Sequence, residues 1–348
     1  MKSAASQAAR SATLQSIAEA SGVHRSTAAR ALDPAQAHRI SPEVVEKVRA
    51  EAQRQGYRRD VIAASLRTGR SRLVGVVLPD LANPVFAPIL DGVGAALAEA
   101  GYSMLVADGG ADPARQTAIV EELIARRVDG LVLATARRSD PVLTVCLDAG
   151  VPTVLVNRAE DEARAATVAS DDFCGMRLAV EHLAGLGHRR IGHLAGPEGL
   201  STGILRRRGF EAAMLAAGLD PSASAVARAY NRTEGQAATA ALLDASPGLT
   251  AIAASNDLLA LGAYLELKRR GLSCPGNLSI VGHNDMPLVD MIDPPLTTVR
   301  IAHAEMGQAA AQLLLEKLAD PAAEATVKLM PAELVLRGST REPGRGRH

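Results

Sequence analysis

The stretch TLQSIAEASGVHRSTAARAL (residues 13–32) contains two short helical patterns separated by only a few residues. Its first half places apolar side chains from Leu14 onward at the i, i+3, i+4 spacing of one helix face, with Thr13 as the N-cap. Gly22 then supplies the left-handed conformation with which a helix can end sharply. Two short helices joined by such a turn predict a helix-turn-helix.

The second helical pattern has a small and basic outer face. Its predicted buried positions are Ala28, Ala31 and Leu32. The opposite face holds Arg25, Ser26, Ala29 and Arg30. Such a face can enter a DNA major groove about 12 Å wide, where arginine donates to guanine or phosphate and serine donates to either. We therefore expect this helix to be the recognition helix.

A third helix within residues 41–56 completes a small all-α head. Ser41 is the predicted N-cap, a proline follows it, and Gly56 ends the helix. Its apolar stripe consists of Val44, Val48 and Ala52. Residues 1–72 contain 13 Lys or Arg against 6 Asp or Glu, whereas residues 73–348 contain 25 against 32. A basic head on an acidic body is typical of a nucleic-acid-binding protein, although a solvated basic tail would give the same split.

The 348 residues, 47% of them apolar and 22% charged, are enough for two or three soluble domains. The first twenty residues lack the apolar core of a signal peptide, and no run of about 18 apolar residues occurs. Cys146, Cys174 and Cys274 are far apart and odd in number, so neither a disulfide framework nor a zinc site is predicted. We expect a cytoplasmic protein with no membrane segment and with buried free thiols.

From Leu73 onward, short apolar runs alternate with longer helical segments such as residues 87–100 and 258–270. The runs are LVGVVL, SMLVA, GLVLA, TVLVN, IGHLAG, TAIAAS and LSIVG. This alternation predicts βαβ units and parallel sheets buried on both faces. The strands are too many for one sheet at this spacing, so we expect an α/β body of two Rossmann-like lobes.

Polar residues follow several of these predicted strands, where open α/β sheets bind ligands. They are Asp80, Asn83, Asn157, Arg158, Asn256, Asp257, Asn284 and Asp285. Their mixture of hydrogen-bond donors and acceptors suits a hydroxyl-rich ligand in the cleft between the lobes. Each asparagine could instead cap a loop or a helix.

An enzymatic function is not indicated by the sequence. Gly92 and Gly94 lack the third glycine of a dinucleotide loop and lie far past the nearest strand end. The spacing of His182, His188 and His193 matches no metal motif, and neither a GxSxG elbow nor a Cys/His constellation appears. We therefore predict no catalytic residue, no cofactor and no metal.

The ordered set of motifs resembles the LacI/GalR family of bacterial transcription repressors. After the helix-turn-helix these motifs are ISPEVVEKVRAEAQRQGY, SLRTGRSRLVGVVLPDLANPVF, GHRRIGHLAG, SNDLLALGA, LSIVGHND, PPLTTVR and LVLRGST. The resemblance extends from Thr13 to Thr340. It implies a two-lobed body like that of periplasmic binding proteins, a homodimer, and a pseudo-palindromic operator in double-stranded DNA. It also implies a small-molecule effector such as a sugar, a sugar acid or a nucleobase-like metabolite.

By this resemblance, nine residues are expected to bind DNA: Thr13, Leu14, His24, Arg25, Ser26, Thr27, Ala29, Arg30 and Leu66. His24 and Ala29 each stand where the family usually has a serine, which removes two expected hydroxyl contacts. Leu66 lies in residues 58–72, which resemble the family's hinge helix, and it would be the wedge that enters the minor groove. The alternative for this segment is a flexible basic tether in which Leu66 only packs. Arg59 and Asp60 replace a common proline and asparagine of that helix, and Asp60 can still cap it.

The resemblance also assigns eight effector-binding residues: Asn83, Phe86, Asn157, Arg158, Asp171, Arg206, Asn256 and Asn284. Phe86 is one of 3 Phe in a chain without Trp, and its ring could stack on a ligand or pack in the core. Arg206 is one of three consecutive arginines, of which only one can face the cleft.

The expected domain organisation combines these patterns with the family's architecture. Residues 1–12 form a disordered arm, 13–57 the helix-turn-helix domain, 58–72 the hinge, 73–340 the effector-binding and dimerisation domain, and 341–348 a flexible tail. The N-subdomain is expected to comprise about 73–170 plus 299–324, and the C-subdomain about 171–298 plus 325–340.

The predicted function is a sequence-specific transcriptional repressor whose operator affinity is controlled by a metabolite bound between the lobes. Two alternatives share parts of this architecture. A periplasmic solute-binding protein would use the same body but would need a signal peptide and no basic head, and specific DNA retention would exclude it. A ligand-independent DNA binder would use the body only to dimerise, and its operator affinity would respond to no metabolite.

Overall fold

The computed structural model describes residues 12–33, 36–57 and 69–344. The chain divides into two compact units, Met1–Ser71, which contains the head, and Arg72–His348, which contains the body. The expectations for the hinge helix with Leu66, and for most of the N-terminal arm and of the tail, lie outside the described residues.

The head consists of helices whose apolar faces meet in one small core. They are α1 (Leu14–Ser21), α2 (Arg25–Ala31) and α3 (Pro42–Arg54), with a short 3-10 turn at Ala37–Arg39. Gly22 ends α1 with a φ of 65°, which confirms the predicted left-handed turn. Ser41 occupies the N-cap position of α3, but its side chain makes no capping hydrogen bond, so that part of the prediction is wrong.

The body contains two six-stranded sheets within the described residues, and each defines one lobe. The first lobe's strands are β1 (Leu73–Leu78), β2 (Ser103–Asp108), β3 (Gly130–Leu133), β4 (Thr153–Val156), β5 (Ala166–Ser170) and β11 (Val327–Met330), in the order β11-β5-β4-β3-β1-β2. The second lobe's strands are β6 (Ile191–Ala195), β7 (Ser224–Val226), β8 (Ala251–Ala254), β9 (Ser279–Asn284), β10 (Thr297–Ile301) and β12 (Ala332–Val335), in the order β12-β10-β9-β8-β6-β7.

Helices cover the sheets, as the buried apolar strands require. In the first lobe they are α4 (Phe86–Glu99), α5 (Pro113–Ala125), α6 (Pro141–Asp148) and α11 (His303–Ala319). In the second lobe they are α7 (Asp172–Gly185), α8 (Ser201–Ala216), α9 (Arg232–Ala245) and α10 (Asp257–Arg269). Each lobe therefore has the three-layer α/β architecture that the alternating pattern predicts.

The chain crosses between the lobes at residues 171, 302 and 331. Two expected boundaries are corrected. Residues 299–301 belong to the second lobe, because β10 pairs with β9 through Arg300. Residues 327–330 belong to the first lobe, because β11 pairs with β5. The expectation of purely parallel sheets also fails at one edge, where β12 pairs antiparallel with β10.

Two glycines allow α4 and α11 to pack with their backbones in contact. A Cβ built on Gly92 would lie 2.0 Å from the carbonyl oxygen of Ala304, and one on Gly307 would lie 2.1 Å from that of Ile89. Gly92 therefore serves helix packing, which agrees with its rejection as part of a dinucleotide loop.

Candidate DNA-binding and effector sites

The outer face of α2 exposes Arg25, Ser26 and Arg30, whereas Ala28 and Ala31 are fully buried in the core of the head. This is the division of the helix into two faces that the sequence predicts. Short helices with one such basic face are the elements that enter a major groove.

The other expected DNA contacts in the head have structural roles as well. Thr13 Oγ1 accepts the N–H of Ser16 at 3.1 Å and Ser16 Oγ accepts the N–H of Thr13 at 3.1 Å, which forms a capping box on α1. Leu14 packs against the core of the head. His24 is the N-cap of α2, where its Nδ1 accepts the N–H of Ser26 at 3.3 Å, so the imidazole performs a serine's capping role.

Thr27 and Ala29 are half-buried beside the exposed arginines. A groove of about 170 Å³ runs along this part of the head. It is lined by Ser26, Ala29, Arg30, Asp33 and Gln36. The predicted recognition face therefore has a groove, and Ser26 and Arg30 provide hydrogen-bond donors beside it.

In the body, Arg206 of α8 lies buried at the centre of a polar network. Its Nε donates to Asp172 Oδ1 at 2.9 Å, and its Nη2 donates to Asn284 Oδ1 at 3.0 Å. Its Nη1 donates to the carbonyl oxygen of Ser255 at 2.5 Å. The guanidinium carbon lies 6.0 Å from the centre of the Tyr230 ring. Arg206 thus joins the first turn of α7 to the carboxyl ends of β8 and β9.

The charges of this network are balanced internally. Burial raises the pKa of Asp172, but Arg206 and His283 outweigh burial and hold that pKa below its usual value. Burial, together with the positive charge of Arg206, lowers the pKa of His283 to about 4, so this imidazole is neutral at pH 7. The Asp172 carboxylate therefore neutralises Arg206 without having to balance a second positive charge on His283.

Four buried polar atoms that follow strand ends have no hydrogen-bond partner among the described residues. They are Thr135 Oγ1 and Arg158 Nε in the first lobe, and Thr202 Oγ1 and Tyr230 OH in the second, where these two hydroxyls lie near each other without a hydrogen bond of good geometry. A buried polar atom without a partner costs about 1–3 kcal/mol, so folded proteins rarely retain such atoms without a use for them. Their position on both lobes, beyond the strands, marks a site that a ligand can complete.

Arg158 has neither an ion pair nor a side-chain hydrogen bond within the described part of the chain. Burial lowers the pKa of Arg158 to about 10. The positive charges of Arg206 and Arg137 lower this pKa further, whereas Tyr230 raises it. The side chain still carries its charge at pH 7. Arg158 is thus a charged group facing the second lobe without a counter-ion.

The lobes touch beside this group. The N–H of Ala159 donates to Ser201 Oγ at 2.9 Å, and the N–H of Arg138 donates to the carbonyl oxygen of Gly199 at 3.2 Å. These bonds connect the loops after β4 and β3 to the beginning of α8. The strand ends of the first lobe therefore face those of the second.

The structure brings only part of the predicted effector set together. Arg206 and Asn284 are hydrogen-bonded, and Arg158 is near enough to Arg206 for their charges to interact. Asn157, adjacent to Arg158, is 8% exposed and has a φ of 66°, a left-handed conformation that asparagine tolerates. These four residues form the candidate effector site.

Three other predicted residues act as caps. Asp171 Oδ1 accepts an N–H of α7 at 2.9 Å, and Asn256 Oδ1 accepts an N–H of α10 at 2.9 Å. Asn83 Oδ1 accepts the N–H two residues further on at 3.2 Å. The carboxylate that pairs with Arg206 belongs to Asp172, which the sequence did not single out.

Phe86 is corrected as well. It is the first residue of α4, is 2% exposed, and belongs to the core of the first lobe with Val76 and Ile89. The expectation of a ring free to stack on a ligand is wrong for this structure, because the helix turns that side chain toward the sheet.

A second cavity, of about 470 Å³, lies where the chain crosses between the lobes. Residues 300–305 and 331–333 form most of its wall, with Pro88 and Asp285. None of the predicted effector residues lines it. The cavity lies beside the ends of β9, β10 and β11, apart from the unpartnered atoms of Arg158, Thr202 and Tyr230.

Among the described residues, no group of three or more His, Cys, Asp and Glu side chains is arranged to hold a metal ion. In the same part of the chain, each helix is too short or too polar to span a bilayer.

Comparison with known proteins supports both parts of the architecture. A family model described as a periplasmic binding protein-like domain matches residues 180–340. An uncharacterized HTH-type transcriptional regulator in the aml 5' region of Streptomyces limosus is 36% identical over 336 residues, which cover 94% of each chain. The HTH-type transcriptional repressor CytR of Escherichia coli (strain K12) is 31% identical over 339 residues, covering 95% of this chain and 96% of CytR.

The chain belongs to the LacI/GalR family. The solved structure of the Lac repressor dimer bound to operator and the anti-inducer ONPF agrees with this assignment. It is 28% identical, has a TM-score of 0.85, and covers 95% of this chain and 100% of its own. The predicted family and fold class are confirmed, and this member is a helix-turn-helix transcriptional regulator whose curated relatives are regulators and not enzymes.

Proposed function

We propose that this regulator is a homodimeric, cytoplasmic repressor that places one α2 helix in each half of a pseudo-palindromic operator. We further propose that a small metabolite, such as a sugar or a sugar acid, binds between the lobes and changes operator affinity. The protein itself would have no catalytic activity. The observation that carries this proposal is the set of buried, unpartnered polar atoms that both lobes present at their strand ends.

Binding between the lobes would couple the ligand to the lobe arrangement. A ligand that bonds to Arg158 on one lobe and to Tyr230 on the other is bound tightly only when the lobes stand at one separation. Such differential affinity is the sole means by which a ligand can shift a conformational equilibrium. A change from mostly bound to mostly free operator requires about 5.5 kcal/mol of preference, which several buried hydrogen bonds can supply.

Dimerisation follows from the small size of the recognition face. Only Arg25, Ser26 and Arg30 are exposed on α2 together with a few half-buried neighbours. One such face specifies few base pairs, so two copies about a two-fold axis are needed for useful specificity.

The proposal is tested in two steps. The full-length protein is first used to select duplexes from random DNA, and the enriched sequences are examined for two-fold symmetry. A thermal-shift screen of sugars, sugar acids and nucleobases then identifies ligands, and each is added to the protein on its operator in a fluorescence-anisotropy titration. We expect a symmetric site and at least one ligand that changes its affinity about tenfold or more. Enrichment of no sequence, or binding ligands that leave operator affinity unchanged, would overturn the proposal.

A further inference from the structure

The candidate effector site and the neighbouring Arg137 together contain more positive charge than the acids bonded there balance. Arg137, Arg158 and Arg206 are close enough for their charges to interact at Arg158. Asp172 is the carboxylate bonded in this group, and it is paired with Arg206 at 2.8 Å. His283, which also approaches Asp172, is neutral at pH 7. Two guanidinium charges therefore remain without a counter-ion in the described structure.

These two arginines are held in place by contacts that leave their charge uncompensated. Arg137 Nη1 donates to the backbone carbonyl of Ala111 at 3.3 Å, and its own N–H donates to the buried cap Asp140 at 3.1 Å. Arg137 forms no ion pair among the described residues. Arg158 Nε is buried with no acceptor at all. Both side chains are half-buried and the Arg158 Nε is fully buried, and an unpaired charge in such surroundings is unfavourable, so the pair is best explained by a partner that arrives from solution.

The neutral donors around the pair indicate what the rest of that partner contains. Tyr230 OH and Thr202 Oγ1 are buried close to each other, neither makes a hydrogen bond of good geometry with a described residue, and Asn157 lies beside Arg158. Hydroxyl groups on a ligand can both donate to and accept from such side chains. A guanidinium, by contrast, fits a carboxylate or a phosphate with two parallel hydrogen bonds.

We propose that the effector is an anionic, hydroxylated metabolite whose carboxylate or phosphate is bound by Arg158 with Arg137 beside it. The hydroxyl groups of the same molecule are bound by Tyr230 and Thr202. A neutral sugar would satisfy the hydroxyl-binding side chains and leave the guanidinium charge unpaired. This inference rests on the proposed function in one respect, namely that a ligand binds between the lobes.

The test uses simple anions, so it does not depend on knowing the metabolite. Thermal unfolding of the full-length protein is measured in chloride, acetate and inorganic phosphate at equal ionic strength and pH. It is repeated for Arg158→Met, which keeps the length of the side chain without its charge. Arg208→Met is the matched control, because Arg208 is exposed on α8, the same helix as Arg206.

We expect phosphate, acetate or both to raise the melting temperature of the wild type and of Arg208→Met saturably, by roughly 2 to 4 °C relative to chloride. Arg158→Met should lose this rise and should be at least as stable as the wild type in chloride, because an unpaired buried charge has been removed. A response to phosphate alone indicates a phosphate ester, and a response to acetate alone a carboxylate. Anions bound to the basic head affect all three proteins equally and cancel in the comparison.

An equal rise in Arg158→Met, or no anion-specific rise in the wild type, would overturn the inference. Arg158→Lys is measured alongside, and it should keep only part of the rise because lysine cannot form the bidentate contact. If Arg158→Met does not fold, a full wild-type response in Arg158→Lys counts against the proposal in the same way. Should a neutral sugar change operator affinity while these anions have no effect, the anionic ligand is excluded and the proposed function stands.

Discussion

Arg206 and Asp172 form an ion pair of 2.8 Å in which each side chain is only 2% exposed. The neighbouring Asp171 is solvent-accessible and caps α7. Two adjacent carboxylates thus perform unrelated tasks, one in the candidate effector site and one at a helix end.

This difference predicts opposite outcomes for two chemically identical substitutions. Asp172→Asn should lower the free energy of unfolding by about 3–5 kcal/mol, because it leaves the buried Arg206 without a counter-ion. Asp171→Asn should change it by less than about 0.5 kcal/mol, since asparagine is an equally good N-cap. Urea unfolding followed by circular dichroism measures both, and equal losses would show that the ion pair does not stabilise the second lobe.

The contact between α4 and α11 predicts a second pair. Gly92→Ala should lower the free energy of unfolding by about 1–3 kcal/mol, because the new Cβ would meet the carbonyl of Ala304 at 2.0 Å. Gly94→Ala on the same helix should raise it by up to about 1 kcal/mol, since its Cβ would approach nothing closer than Met104 Cε at 3.6 Å. Denaturant midpoints of the two variants provide the comparison. A stabilising Gly92→Ala would contradict the observed packing.

Asp257 predicts a dependence of stability on pH. Burial raises its pKa to about 7, although Thr298 Oγ1 and the N–H of Met286 donate to it at 2.5 and 2.8 Å. The folded state then holds a proton that the unfolded state releases near pH 4, so this group's contribution falls as pH rises from about 4 to 7. Above about pH 7 its contribution no longer changes.

Asp257→Asn should remove this slope. Buried His193 and His283, with pKa values lowered to about 3 and 4, change stability in the opposite direction over part of the range. The test is therefore the difference between variant and wild type in urea unfolding at pH 4.5, 5.5, 6.5 and 7.5. We expect the variant to gain stability relative to the wild type as the pH rises. A constant difference would mean that Asp257 is ionised throughout.

The exposed face of α2 predicts a loss of DNA affinity in Arg25→Ala. If Arg25 binds a base edge, affinity for the operator should fall by about 1–3 kcal/mol while affinity for random DNA changes little. Arg54→Ala removes the same charge from α3, where Arg54 pairs with Glu51, and serves as the control. Anisotropy titrations at two salt concentrations distinguish a lost base contact from a lost phosphate contact. Equal loss on both DNAs, with a shallower salt dependence, would assign Arg25 to phosphate.

The elements that the sequence predicts are those with a strong apolar pattern. Runs such as LVGVVL and LSIVG form strands in which every position after the half-buried Leu73 is buried, and Gly22 marks a turn that needs a left-handed residue. The predicted runs omit β5, β7, β10, β11 and β12, of which β7, β11 and β12 lie at sheet edges, whereas the edge strand β2 was predicted from SMLVA. Two of the edge strands show why such strands are hard to identify. β7 has three residues, and β11 exposes Val327 and Leu329, so neither shows the burial that would identify it.

The candidate site was predictable only in part, because the type of a residue does not determine which side chain it bonds to in the folded protein. Asn284 was predicted from its place after a strand and Arg206 from the family resemblance, and the structure joins the two by a hydrogen bond. The sequence pattern could not decide which of the adjacent residues Asp171 and Asp172 enters the site. In the structure Asp171 caps α7, whereas Asp172 is buried against Arg206. Phe86 was misassigned because its orientation depends on where α4 begins, and that boundary differed by one residue.

The late return of the chain to both sheets has a consequence for its synthesis. α11 and β11 complete the first lobe, and β12 completes the second, yet all three follow β10 in the sequence. On the ribosome the head can form early, whereas the first lobe must wait, with its core open, until almost the whole message has been translated. A premature stop codon between residues 171 and 301 therefore leaves both lobes incomplete, and only a stop after β11 would leave the first lobe with all its strands.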